Sequence, residues 1–239
     1  SLYNLLVTGF NGSNTATASV STNSLSLKGS LTISNDNSFF LTNGYNVTIK
    51  GNLSNLNSNA STTSLDAGGY QAHTITQTTT LNSSTVDQII TGISSNKTNF
   101  GTLVISNSKA GGSVTLSPNT ELRVNGNLSL SNCTFNIGDQ IVNVLGDFTN
   151  TSTYTTTTNG YVAMISSTGV QEINGSGTYG NLTINNTFGV NVNNDIYVNQ
   201  KLLINNNNGI RTFFGKVIIN SSGSWLSTAA ISESKLFFR

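Results

Sequence analysis

Short apolar-polar-apolar triplets recur along most of the chain, separated by stretches of Asn, Thr, Ser and Gly. Four of them lie close together between residues 182 and 204: Leu182-Thr183-Ile184, Val190-Asn191-Val192, Ile196-Tyr197-Val198 and Leu202-Leu203-Ile204. Because successive side chains of a strand point to opposite faces, each triplet predicts a strand of about three residues whose outer members face a core.

The spacing of the triplets returns to an equivalent place after every three strands. Leu202 opens the third triplet after the one that Leu182 opens, and Val217 stands in the same relation to Ile196. A Gly-x-Leu or Gly-x-Phe element opens many of the strands, since glycine allows sharp turns and close approach of backbones. Its copies begin at Gly29, Gly51, Gly101, Gly126, Gly146 and Gly180. The pattern predicts three-faced coils of about 20 residues, as in a right-handed parallel β-helix.

A longer repeat lies over the short one. Three similar segments mark it, at residues 2–7, 100–105 and 179–184. The lead-in QIITG at 88–92 also matches QEING at 171–175. We predict a single continuous solenoid over residues 1–239. Its sequence repeats are approximately 1–80, 81–160 and 161–239.

Tandem immunoglobulin-like β-sandwiches are the alternative fold, because domains of about 100 residues would also fit the longer repeat. Their strands are usually longer and are joined by hairpins or Greek-key crossovers, so the short internal period favours the β-helix. Thr183 lies between two inward positions and is expected to be outward and tolerant of substitution. The predicted core includes Leu128, Leu130, Phe135, Ile137, Leu182, Ile184, Ile196 and Val198.

Composition and charge support strands and remove several classes of partner. Asn, Ser and Thr make up more than two fifths of the chain, which disfavours helix. Only 8% of residues are charged, the net charge is +1, and no basic stripe is present. Nucleic-acid binding is therefore not expected. No apolar run approaches the roughly 18 residues of a membrane span, so we expect no membrane insertion of this segment.

Few residues have side chains that are suited to catalysis or metal binding. Asp66 and Asp87 are separated by one coil of the predicted period and are the best candidates for a stacked pair of carboxylates. His73 is the one histidine and cannot build a His-containing metal set alone, and Cys133 has the spacing of a buried apolar position. We predict that the chain is not an enzyme and has no catalytic, metal-binding or cofactor-binding residues.

Two surface functions are open to such a sequence. Threonine ranks can order water on a flat solenoid face, but the Thr runs at 78–80 and 155–158 do not recur from one coil to the next. Tyrosines could stack on sugars if they face outward, although tyrosine in strands often packs inside. The candidates for sugar contact are Tyr154, Tyr161, Tyr179 and Tyr197.

The string Tyr-Gly-Asn-Leu-Thr-Ile-Asn-Asn at 179–186, the triplets after it and the Gln-x-Ile-x-Gly lead-in resemble repeats of large Bacteroidota cell-surface and adhesin-like proteins. That class includes proteins associated with gliding motility and type IX secretion. The third copy departs from the pattern at Gln200-Lys201, where a glycine is usual.

The resemblance implies an extracellular segment on a bacterial surface that acts as a stiff structural or adhesive spacer and displays loops. Its expected partners are neighbouring repeats of the same long chain, surface glycans or abiotic surfaces. We expect the isolated segment to associate end to end, because its strand pattern runs to both ends. The alternative is a glycan-binding or glycan-degrading β-helix module.

Overall fold

A computed structural model describes residues 2–9, 15–59, 64–93, 97–205, 210–220, 223–227 and 236–238. These residues contain thirty β-strands and no helix. The strands are β1 Leu5–Val7, β2 Ala16–Ser19, β3 Leu25–Leu27, β4 Leu31–Ile33, β5 Ser38–Leu41, β6 Val47–Ile49, β7 Leu53–Asn55, β8 Tyr70–Gln71, β9 Thr78–Leu81, β10 Gln88–Thr91, β11 Thr98–Phe100, β12 Thr102–Ile105, β13 Ser113–Leu116, β14 Leu122–Val124, β15 Leu128–Leu130, β16 Thr134–Gly138, β17 Ile141–Val144, β18 Phe148–Asn150, β19 Thr153–Thr156, β20 Tyr161–Met164, β21 Gln171–Asn174, β22 Thr178–Tyr179, β23 Leu182–Ile184, β24 Val190–Val192, β25 Ile196–Val198, β26 Lys201–Ile204, β27 Ile210–Phe213, β28 Val217–Ile219, β29 Ser224–Ser227 and β30 Leu236–Phe238.

Most strands pair in parallel with the strand three places earlier in the chain, and this pairing builds three faces. The first face is the eleven-stranded ladder from β1 through β4 and β7 to β30, and the second is the nine-stranded ladder from β3 to β27. The third face consists of β2-β5-β8 and the seven-stranded ladder from β11 to β29. The fold is the predicted β-solenoid, with parallel strands stacked about 22 residues apart. The immunoglobulin-like alternative is wrong, since its sheets are antiparallel; the right hand of the winding stays a prediction.

The third face is interrupted between β8 and β11, which do not pair. The core is nevertheless continuous at this place because aromatic rings bridge it. The ring centroids of Phe40 and Tyr70 are 5.7 Å apart, and those of Tyr70 and Phe100 are 5.3 Å apart. Apolar contact therefore joins the two parts of the face where the hydrogen-bonded ladder is absent.

The inward positions form the core as the triplet pattern predicts. The eight core residues proposed from the sequence are each at most 1% exposed. Cys133 is also buried, as predicted, and burial raises the pKa of its thiol. Thr183 lies between two inward residues and belongs to an outward column, as predicted, but only 7% of it is exposed. Its tolerance of substitution stays a prediction.

Glycines stand where backbones of successive coils approach most closely. The N–H of Gly126 donates to the carbonyl oxygen of Gly101, at 2.6 Å, and the N–H of Gly146 donates to that of Gly126, at 3.0 Å. A Cβ placed on Gly146 would lie 2.4 Å from the Gly126 oxygen. Any larger residue would push the two coils apart, which explains the recurrent Gly-x-Leu and Gly-x-Phe elements.

The sequence repeat and the coil have different periods, counted in strands. The equivalent segments that contain Leu5, Leu103 and Leu182 fall on β1, β12 and β23, so each repeat covers eleven of the described strands. Eleven is not a multiple of three, and these strands lie on the first, second and third face respectively. Each copy therefore presents its equivalent segment on a different side of the solenoid.

The Gln-x-Ile-x-Gly lead-in has a structural purpose. The buried Gln171 side chain donates from Nε2 to the carbonyl oxygens of Val144, at 3.1 Å, and Gly146 in the preceding coil. Its Oε1 accepts from the backbone N–H of Ser166, at 3.0 Å, and from Asn186 Nδ2, at 3.0 Å. One side chain thus satisfies a corner that would otherwise bury unpaired backbone groups.

Gln88 repeats this arrangement on another face. Its Nε2 donates to the carbonyl oxygens of Ile49, at 3.0 Å, and Gly51, at 2.7 Å. Its Oε1 accepts from the N–H of Ser83, at 3.0 Å, and from Asn107 Nδ2, at 3.2 Å. The match between residues 88–92 and 171–175 therefore reflects a clamp between coils that the chain uses twice.

Candidate binding groove on the third face

The acids proposed from the sequence as a stacked pair have separate partners. The Asp66 carboxylate lies 2.7 Å from Nδ1 of His73, and both side chains are more than half exposed. Asp87 accepts from Lys109 Nζ and from the N–H of Ser113, and these bonds lower the pKa of its carboxyl, with the Lys109 hydrogen bond the largest cause. The described residues contain no group of three or more side chains that could hold a metal ion.

The structure instead brings Asp147 and Glu172 together, at the second face. Asp147 Oδ1 accepts from the N–H of Glu172 at 2.9 Å. Glu172 Oε1 accepts from Asn191 Nδ2 at 2.8 Å, and its Oε2 accepts from Asn193 Nδ2 at 2.7 Å. The two acids are 25 residues apart, so the shorter period in the sequence does not reveal them. Their oxygens join successive coils, and neither oxygen of Glu172 is left without a donor.

The four candidate tyrosines divide into two pairs. Tyr154 and Tyr179 are buried and pack against Phe148, with the two tyrosine rings 5.5 Å apart. Burial raises the pKa of both phenols. Tyr161 and Tyr197 are partly exposed, on the third and first face respectively. Only these two can meet a ligand from solvent.

Tyr161 borders a groove of about 380 Å³ on the third face, which we call the third-face groove. Its floor is a column of outward residues, in register on successive strands: Asn143, Ala163, Thr183 and Leu203. The small side chain of Ala163 leaves the depression. Residues two positions before and after these point the same way. They form the two sides, with Tyr161, Asn181 and Lys201 on one and Ile165, Asn185 and Asn205 on the other.

A turn between β19 and β20 forms a wall at the tyrosine side. The Asn181 Nδ2 donates to the carbonyl oxygens of Thr157, at 2.9 Å, and Gly160, at 2.7 Å. These bonds hold the turn against the next coil and place Thr158 and Asn159 at the groove. The wall is therefore positioned by a side chain that belongs to the groove itself.

Gln200 stabilises the corner of the third copy at which a glycine is usual. Its Nε2 donates to the carbonyl oxygen of Thr156 at 2.9 Å, and its Oε1 accepts from the Thr156 hydroxyl. The glutamine thereby fastens the end of β19 to the start of β26, 44 residues later. Lys201 follows it and is exposed at the groove.

Several polar groups of the third-face groove have no partner within the part of the chain that the structure describes. Among the described residues, the side chains of Tyr161, Thr183, Asn185, Lys201 and Asn205 make no hydrogen bond or ion pair. Thr183 is more than nine-tenths buried as a residue and lines the floor of the groove. The groove offers amides, hydroxyls, one phenol ring and one ammonium group. These groups can donate and accept hydrogen bonds and can stack against a ligand.

The Glu121 carboxylate contacts a residue of the floor. Its Oε1 accepts from Asn143 Nδ2 at 3.0 Å and pairs with Lys97 Nζ at 2.6 Å. This local pair neutralises the end of the groove that lies toward β14. Lys201 is left as the one charged side chain in the described lining.

Comparison with protein-family models, with curated proteins and with solved structures finds no match to this chain. In the described residues, no helix is long and apolar enough to cross a membrane. The fold and the arrangement of side chains are thus the basis for any functional conclusion.

Proposed function

We propose that this chain is a stiff, non-enzymatic β-helical spacer and display segment of a large bacterial cell-surface protein, of the adhesin-like class found in Bacteroidota. The observation that supports this best is the use of side chains to join one coil to the backbone of the next. The sequence resemblance supports the surface setting.

These joining bonds recur at the corners of the solenoid. Asn127 Oδ1 accepts from the N–H of Asp147 at 2.8 Å, and Asn52 Oδ1 accepts from the N–H of Ile89 at 2.9 Å. The same type of bond links Asn4 to Ser30, Asp87 to Ser113 and Asp195 to Lys216. Each of these bonds spans two coils and must break when the coils separate.

The stacked ladders also give the segment a defined length. Eleven strands of the first face, at about 4.8 Å per coil, make a rod on the order of 50 Å long. Parallel ladders run along the first two faces without a break and along most of the third, so bending requires many backbone bonds to stretch together. A segment of this kind holds its two ends at a set separation, which is the property that a spacer needs.

The mechanical part of the proposal can be tested by stretching single molecules held at Tyr3→Cys and Ser224→Cys, both on exposed side chains. Cys133 is buried and does not compete for the handles. We expect almost no extension until a cooperative rupture. Gradual lengthening at low force would contradict a stiff spacer.

The surface location needs a separate experiment. Antibodies raised against this segment should label intact cells of the source bacterium without permeabilisation, whereas antibodies against a periplasmic protein should not. Deleting the segment in frame should leave the protein on the surface but reduce adhesion to glycan-coated or abiotic supports. Labelling that requires permeabilised cells would contradict the proposal.

A further inference from the structure

We propose that the third-face groove binds a chain of neutral sugars. The inference deepens the proposed function, because it names a ligand class for a surface-displayed segment. The evidence for sugar binding is the set of side chains in the groove. Only the location on a cell surface rests on the proposed function.

The unused polar groups are of the kind that bind sugar hydroxyls. An amide side chain both donates and accepts hydrogen bonds, and so can engage neighbouring hydroxyl groups of one sugar. Asn185 and Asn205 provide two such amides on the same side of the groove. Tyr161 faces them across the floor and is partly exposed. Its ring offers an apolar surface for the C–H face of a sugar.

The hydroxyl of Thr183 adds a further polar group to the groove. It makes no hydrogen bond within the described part of the chain, and a hydroxyl group can both donate and accept one. Thr183 lies in the floor beside Ala163, whose methyl group leaves room above it. A hydroxyl group of a bound sugar would supply the missing partner at this position.

The direction of the groove indicates an extended ligand. Its floor crosses β17, β20, β23 and β26, so it runs along the solenoid axis. Equivalent side chains on adjacent coils are about 4.8 Å apart. This step is similar to the length of one sugar ring in an extended chain. Amides on adjacent coils can therefore contact successive sugars.

The charge distribution favours neutral sugars over polyanions. Lys201 is the one charged side chain in the described lining, and it lies at one side of the groove. Polyanions are bound by rows of cations, as nucleic-acid binding shows. A single exposed ammonium group contributes little to affinity in water. Metal-dependent recognition has no support in the described residues, because they hold no cluster of metal-ligating side chains.

The test is titration calorimetry with cellohexaose, mannohexaose, xylohexaose and chitohexaose, with polygalacturonate as the acidic probe. We expect at least one neutral hexaose to bind and polygalacturonate to bind no better. In NMR spectra, the bound hexaose should shift the side-chain amide signals of Asn185 and Asn205. The signals of Asn191 and Asn193, on the second face, should stay in place.

Two variants locate the site, each with a matched control on another face. Tyr161→Ala removes the ring and should weaken binding about tenfold or more, as expected for one aromatic contact. Tyr197→Ala makes the same change on the first face and should leave affinity unchanged. Ala163→Leu fills the floor and should abolish binding, whereas Ser129→Leu, outward on β15, should not. Circular dichroism and thermal melts establish that each variant folds.

The proposal is overturned if no neutral hexaose binds, if polygalacturonate alone binds, or if the control variants lose affinity as much as the groove variants. These results are independent of the stretching experiment. A stiff segment that binds no sugar would refute the groove proposal and leave the spacer proposal standing, and a sugar-binding segment that extends at low force would do the reverse.

Discussion

The second face and the third-face groove are built from similar amide-rich strands, yet their side chains have different roles. On the second face, the amides of Asn191 and Asn193 donate to the two oxygens of Glu172 in the adjacent coil. In the groove, Asn185 and Asn205 have no such partner within the described part of the chain. The neighbour in the next coil decides whether a polar side chain joins coils or remains available to a ligand.

The composition of the column explains this difference. The strand beside Asn191 carries the Glu172 carboxylate in register with it. The column of Asn185 and Asn205 instead carries Ile165 on the preceding coil. Apolar side chains can neither donate nor accept hydrogen bonds, so Ile165 offers no partner to Asn185. An Asn-rich sequence can therefore form a face whose side chains hydrogen-bond between coils, or a face whose side chains are available to a ligand. The residues that the coils bring into register decide between the two.

The comparison of the two faces assumes that outward residues can be replaced without harm to the core. The substitution with the largest expected loss of stability tests this assumption. Leu128→Asp places a charge among stacked inward side chains and should destabilise the fold by about 4 kcal/mol or more. Ser129→Asp, the next residue and outward, should cost less than about 1 kcal/mol. Urea unfolding followed by circular dichroism measures both. Similar losses would show that the register is wrong.

The second largest effect should come from the buried glutamine clamp. Gln171→Leu leaves the carbonyl oxygens of Val144 and Gly146 without their donor and should destabilise by about 2–4 kcal/mol. Gln88→Leu should cost a similar amount, because it makes equivalent bonds on a different face. A large effect at one position and none at the other would contradict the equivalence of the two copies.

A paired substitution tests the comparison of faces directly. Glu172→Ala removes the acceptor of two amides and should lower the free energy of unfolding by about 1 kcal/mol. Asn185→Ala should change it by less than about 0.5 kcal/mol, because the amide has no partner to lose. If the groove variant is the less stable of the two, the side chains of the groove have a structural role.

The smallest expected effect is on the loss of stability at low pH. The pKa of Asp87 is lowered in the folded protein, chiefly by its hydrogen bond from Lys109. Its stabilising contribution is therefore complete above the pKa of the unfolded chain and is lost as the pH falls through the lowered folded value. Asp87→Asn should reduce the acid sensitivity of the unfolding midpoint slightly. Identical pH profiles for the two proteins would show that the Asp87 contacts do not contribute.

Much of the fold could be predicted from local pattern because a three-residue strand that buries its outer members needs an apolar residue at both. Leu128 and Phe135 were placed in the core on this ground, and the structure confirms both. The clamp function of Gln171 was not predictable, although its motif was visible, since its partners lie 25 and 27 residues earlier. The groove was also missed, because Thr183 was interpreted by parity alone.

The sequence by itself determined that the chain forms short strands, that three of them make a coil, and that alternate residues face inward, because these follow from local periodicity and apolar burial. Only the tertiary structure decided which outward residues share a column. Loops of unequal length between the strands set that register. The repeat of eleven strands also contributes, because it places equivalent segments on different faces. Ala163 therefore meets Thr183, and Asn191 meets Glu172, through the stacking of coils.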